Sequence, residues 1–308
     1  MRSGSPAIAL ATVATTAAIA CASPPGAPPV SARAPTYASV PIEAPPPALG
    51  VDGAFYEKFT SADGIPVVGS GAVPDEALLV ARGIVIHMLS ARPDLRTHMV
   101  EGGYRVGVMA TSESTTDLPE QRDWKKPAFD DRRLTDRERE TYYEPGGMAS
   151  MTDREYWDRR ARGMGGRYTT GAEENVLGYP DTRYFGENIL VHEFSHAIHR
   201  AVLEVDPSLA EDLRAAYEAA VGKGLYVDGG TRHYAVNTIA EYWAEGTQWW
   251  FWSNFGACFE GTRVWTPDDL RAYDPALYGL LARVYPDHII PADVYHGIPL
   301  ERNLRSCG

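Results

Sequence analysis

The stretch 186–205 constrains this chain more than any other. Leu190, Phe194, Ala197, Ala201 and Val205 recur at helical spacing and define one face to be buried. At about 100° per residue, His192 and His196 point to the opposite side of that helix. The helix therefore has a core side and a chemical side, and the rest of the chain must serve both.

His192 and His196 are four apart, so their imidazoles project side by side, close enough to grip one ion. Glu193 sits between them on an adjacent stripe, where it can take a proton from a water that attacks a carbonyl. A catalytic zinc takes three protein ligands and leaves a position for water, so the His-Glu-Phe-Ser-His segment still needs a third ligand. The metzincin pattern would put Gly at 199 and His at 202; the chain has His199 and Val202, which excludes that class. His199 lies about 10 Å of helical rise from His192, so it is read as lying beside the site or on the surface.

A later helix, expected over 238–255 with Thr238 and Glu241 spaced as a capping box, offers the missing carboxylate. Glu241 and Glu245 share one face of it. One can bind the ion while the other holds a ligand imidazole. Their neighbours Tyr242, Trp243, Trp249, Trp250, Phe251 and Trp252 mark a buried helix, where unpaired carboxylates are costly.

The stretches ENILVHEFSHAIH and YAVNTIAEYWAEG resemble the gluzincin metallopeptidases, and among them the catalytic domain of anthrax lethal factor and its relatives. In the second stretch a tyrosine is followed seven residues later by a glutamate and four beyond by another, as in that family. The resemblance spans residues 187–246. It implies that His192, His196 and Glu241 are zinc ligands, Glu193 is the general base, Tyr234 donates to the developing oxyanion and Glu245 supports the ligands. His233 is the competing donor, since other gluzincins use a histidine.

The fold expected is α+β: a zincin-like domain with a small mixed sheet, the active-site helix and a mostly helical C-terminal part. Residues 74–90 read as a helix, YRVGVMA (104–110) as a strand and EENVL (173–177) as a short strand. Either strand could be the sheet edge that pairs with an extended substrate. Thr266-Pro267 and Asp274-Pro275 mark two further helix starts. Residues 117–167, dense in both charge signs, read as solvated helix and loop.

The remaining features concern location. A small apolar run, 7–20, follows Arg2 and is too short to span a membrane; it ends Ala18-Ile19-Ala20-Cys21, like the lipobox of exported bacterial lipoproteins. Residues 1–21 are thus read as a signal peptide with lipid attachment at Cys21, or as an ordinary one cut near Ala20 or Ala22 that leaves a secreted protein; residues 22–50 are read as a Pro/Ala-rich linker and 51–308 as the metallopeptidase domain. In an exported chain, Cys258 and Cys307 are expected to pair. A net charge of −12, from 41 acidic and 29 basic side chains, disfavours nucleic acid as a partner. The expected partners are a peptide or protein substrate, and a membrane through the lipid on Cys21. Two other readings remain: a zinc hydrolase of cell-wall or non-peptide amides, and a tethered zinc-binding lipoprotein without peptidase activity.

Overall fold

The computed structural model describes residues 31–131, 134, 136–305 and 307. The stretch expected to be a signal peptide, with Cys21, lies outside the described residues. In chain order the first elements are β1 (Lys58–Ala62), β2 (Ile65–Gly69), α1 (Asp75–Leu89), α2 (Pro93–Glu101) and β3 (Arg105–Met109). Next come α3 (Asp136–Glu140), α4 (Asp153–Arg160), β4 (Gly163–Met164), β5 (Tyr168–Ala172) and α5 (Glu173–Val176). Then follow α6 (Ile189–Val205), α7 (Pro207–Gly222), the hairpin β6 (Val227–Asp228) and β7 (Thr231–Arg232), and α8 (Ile239–Trp250). The hairpin β8 (Ala257–Phe259) and β9 (Thr262–Val264), α9 (Pro267–Tyr273), α10 (Pro275–Leu281) and α11 (Glu301–Leu304) complete the chain. The protein is mixed α+β, with one small main sheet and a C-terminal part that is mostly helical.

The main sheet runs in the order β1-β2-β3-β5-β4. Its middle pairs, β2 with β3 and β3 with β5, are parallel, and both edge pairs are antiparallel. Asp63-Gly64, both at positive φ, makes the tight turn between β1 and β2. YRVGVMA is therefore a central strand and not an edge. EENVL is not a strand at all but the helical turn α5. Its residues are spoken for one by one: the Glu173 carboxylate accepts from Thr111 N and Tyr179 OH, and Asn175 Oδ1 accepts from Ile189 N at 2.8 Å. The edge of the sheet nearest α6 is β4.

The apolar stripe of α6 packs on the sheet and on α8. Leu190, Phe194, Ala197 and Ala201 join one core with Leu78, Ile84 and Met88 of α1 and Tyr242, Trp243 and Trp249 of α8. α8 stops at Trp250, short of Phe255, because Trp252 turns to positive φ. α9 and α10 start as expected, with Thr266 and Asp274 accepting from Asp269 N and Leu277 N. Cys258 and Cys307 form a disulfide with Cα atoms 5.6 Å apart.

Residues 31–50 are not a free linker. Thr36 N and Arg33 N donate to Pro291 O and Val294 O, and Glu43 makes a two-way backbone pair with Phe59 at the edge of β1. Tyr37, Ile42 and Leu49, the few large apolar residues of the segment, pack on the cores. A proline-rich strand needs few partners of its own, so it can lie in extended form against a finished surface. Among the described residues, no helix is long and apolar enough to cross a membrane.

Candidate metal centre

α6 and α8 pack together and turn their chemical faces toward one cleft of about 960 Å³. His192 Nε2 lies 3.1 Å from Glu241 Oε2 and 3.2 Å from His196 Nε2, and His196 Nε2 lies 3.5 Å from Glu241 Oε2. A tetrahedral ion with bonds of about 2.0–2.1 Å holds its ligands about 3.3 Å apart, so these three donors stand at the corners such an ion requires.

The charges agree with the distances. Gln248 Nε2 donates to Asn188 O at 3.0 Å and to Glu187 Oε1 at 3.3 Å, so its carbonyl oxygen faces His192 Nδ1 at 2.9 Å. Nδ1 therefore carries a proton, and the Nε2 lone pair points at Glu241 and His196. Lone pairs of two imidazoles and one carboxylate thus converge on a point that calls for a cation. The same demand for positive charge shows in the affinity for a proton: although burial disfavours its charge, the bond to Glu241 and the surrounding carboxylates push His192 up to about 10. Burial likewise opposes the charge of Glu241, but its bonds to the two imidazoles hold it well below the usual carboxylate range. The residues fit a divalent ion, which would displace that proton.

Thr238 caps α8 by accepting from Glu241 N at 3.2 Å, but the capping box is only half made. The Glu241 side chain turns away from the cap and toward the histidines. Glu193 faces the cleft beside them, and its carboxyl is raised by burial, an effect opposed by His192, His196 and a bond from the Gly165 backbone. A raised carboxyl is a better proton acceptor.

Tyr234 opens the short turn Tyr234–Val236, lines the cleft and sits with its ring 6.5 Å from that of His192. Burial, then the charges of Glu241 and Glu193, keep its phenol protonated. His233 faces elsewhere: its Nδ1 accepts from Ala235 N, and its ring packs on Phe259 and Trp249 at 5.2 and 5.9 Å. His199 is a buried residue of the cleft wall, with its ring stacked 6.2 Å from Trp243. Burial pushes it down to about 4, so it stays neutral.

Glu245 lies beside His192 without bonding it. Its Oε1 is 3.9 Å from Nδ1, while Oε2 accepts from Asn254 at 2.8 Å. Nδ1 donates instead to Gln248 Oε1, and Gln248 is a residue that sequence reasoning missed. Gln248 lies seven residues beyond Glu241 on the same helical face, and that spacing was the available signal. Glu187, His192 and Glu245 form a second group of possible donors, and burial together with the Glu245 charge raises Glu187 to about 7.

β4 borders the cleft, and the chain at Gly165 runs hard against α6. A Cβ at Gly165 would meet His196 Cβ at 2.7 Å and Glu193 Oε2 at 3.0 Å. The far wall comes from the charged stretch 117–167: Leu134, Tyr156 and Trp157 of a small separate core line the cleft. That stretch is thus not only solvated surface.

No family model and no curated protein matches the chain. Among solved structures it is similar to the Pro-Pro endopeptidase PPEP-2 from Paenibacillus alvei, at 16% identity and a TM-score of 0.39, over 67% of this chain and 91% of that one. A likeness this slight assigns neither fold nor activity.

Proposed function

We propose that this chain is a zinc-dependent metallopeptidase. The observation that carries the proposal is the convergence of His192 Nε2, His196 Nε2 and a Glu241 oxygen at 3.1–3.5 Å from one another, with Glu193 and Tyr234 lining the same cleft. Zinc suits two imidazoles and a carboxylate, and it would acidify a water and polarise a carbonyl oxygen. Glu193 takes the proton of the water that attacks the carbonyl carbon and delivers it to the departing amine nitrogen. Tyr234, a neutral donor, hydrogen-bonds the oxygen on which charge develops. One edge of β4 is taken by β5, and the other, which pairs with no strand among the described residues, can pair with the backbone of an extended peptide.

Glu193 and Tyr234 favour hydrolysis over mere storage of an ion, since neither is needed to bind one. The proposal includes export and lipid attachment at Cys21, supported by the apolar run that ends there. The test is cleavage of a diverse peptide mixture by full-length protein, before and after chelation and after zinc is restored. Loss on chelation with return on zinc supports the reading. Zinc binding without any cleavage would replace it with a non-peptide substrate or a binding role.

A further inference from the structure

We propose that Asp293, acting through Asn188 and Gln248, is a positioning residue for the metal centre. The inference rests on the metallopeptidase reading of that centre. A hydrogen-bonded line leaves His192 on the side away from the ion: Nδ1 to Gln248 Oε1 at 2.9 Å, Gln248 Nε2 to Asn188 O at 3.0 Å, and Asn188 Nδ2 to Asp293 Oδ1 at 2.7 Å. The line is sealed from water, with Gln248 and Asn188 at 0% exposure and Asp293 at 2%.

Asn188 is the junction. Its Oδ1 caps α6 by accepting from Val191 N at 3.1 Å, and its backbone oxygen accepts from His192 N at 3.2 Å as well as from Gln248. An Asn amide can flip. Here the Asp293 carboxylate accepts from Nδ2 and therefore fixes which end faces the helix. With the cap so fixed at the first turn of α6, the Asn188 backbone oxygen is held for Gln248, whose Oε1 is held for Nδ1. Asp293 thus reaches His192 from a loop 105 residues away in sequence from Asn188. The loop is itself tied down, since Thr36 N and Arg33 N donate to Pro291 O and Val294 O on either side of Asp293.

A structural role alone accounts poorly for a carboxylate here. Burying its charge is costly, and burial raises the group to about 6 against the pull of Asn188, Tyr295 N and Arg33. Partners behind a metal-binding imidazole commonly change metal affinity about 10- to 100-fold when removed. The test measures zinc affinity of full-length protein by competition with a chromophoric chelator, with a thermal melt of each variant alongside.

Asp293→Ala should weaken zinc binding by about 10- to 100-fold, and Asp293→Asn, which keeps an acceptor oxygen, should recover most of it. Asn188→Ser keeps a hydroxyl to cap α6 but lacks Nδ2, so it should weaken zinc binding even if Asp293→Ala fails to fold. Thr266→Ala removes a cap on α9, away from the line, and should lower the melting temperature without changing zinc affinity. Unchanged affinity in folded Asp293→Ala and Asn188→Ser overturns the proposal alone. Absence of zinc binding by the wild type overturns the metal-centre reading and the proposal with it.

Discussion

Tyr234 and His233 are neighbours in sequence with opposite fates, and the difference sets a prediction. Tyr234 lines the cleft as a neutral phenol, whereas the His233 ring packs on Phe259 and Trp249. Tyr234→Phe should therefore lower kcat by about 100- to 1,000-fold with zinc content unchanged, as read by steady-state kinetics and metal analysis. His192, Glu193 and His196 were legible because one helix fixes their relation, whatever the rest of the fold. Glu241 was legible as one of two carboxylates on a buried helix, and geometry now separates them. Only Glu241 meets both imidazoles, while Glu245 turns to Asn254. Gln248 was hidden by its type: a glutamine among tryptophans carries no sign of its partner until the two helices are packed. Asp293 lies in a loop, where no periodicity points to it.

Among the elements, α1, α6, α8, α9, α10 and the strand β3 were readable, whereas α2, α7 and the small strands were not. α1, α6, α9 and α10 carry apolar stripes or proline-marked caps, which are local signals. β4 is two residues long, Gly163–Met164, too short for any alternating pattern. EENVL was misread because four residues of helix and a short strand look alike without their partners. Yet β4 and the glycines after it shape the cleft more closely than any strand the sequence announced. Gly163 and Gly165 both meet α6 tightly, Gly163 against Ile189 and Gly165 against His196 and Glu193. Gly165→Ala should displace these two side chains, weakening zinc binding and lowering activity by at least tenfold, on the order of a small misplacement in an active site. Metal titration together with kinetics checks it, and unaltered values for both would refute the close-packing account.

Over the whole molecule, the largest departure from the sequence reading is the segment 31–50. Proline and alanine suggest a tether, but composition does not reveal that Tyr37, Ile42 and Leu49 find places on an existing surface. The span left between Cys21 and the described domain is residues 22–30, which reach at most about 30 Å when fully extended, against about 100 Å for residues 22–50. A lipid on Cys21 would thus hold the first described residues of the domain close to a membrane. Membrane fractionation should find the wild type with the membranes and Cys21→Ser in the soluble fraction. Equal partitioning of the two would remove the anchor from the account.

In the proposed reaction Glu193 acts on a substrate beside an ion held by His192, His196 and Glu241. Its most direct test is mass spectrometry of a peptide mixture incubated with zinc-loaded wild type and with Glu193→Gln. The wild type should cleave, the variant should lose about 100- to 10,000-fold in rate, and both should hold equal zinc. Cleavage by the variant at the wild-type rate, with zinc bound, would contradict it.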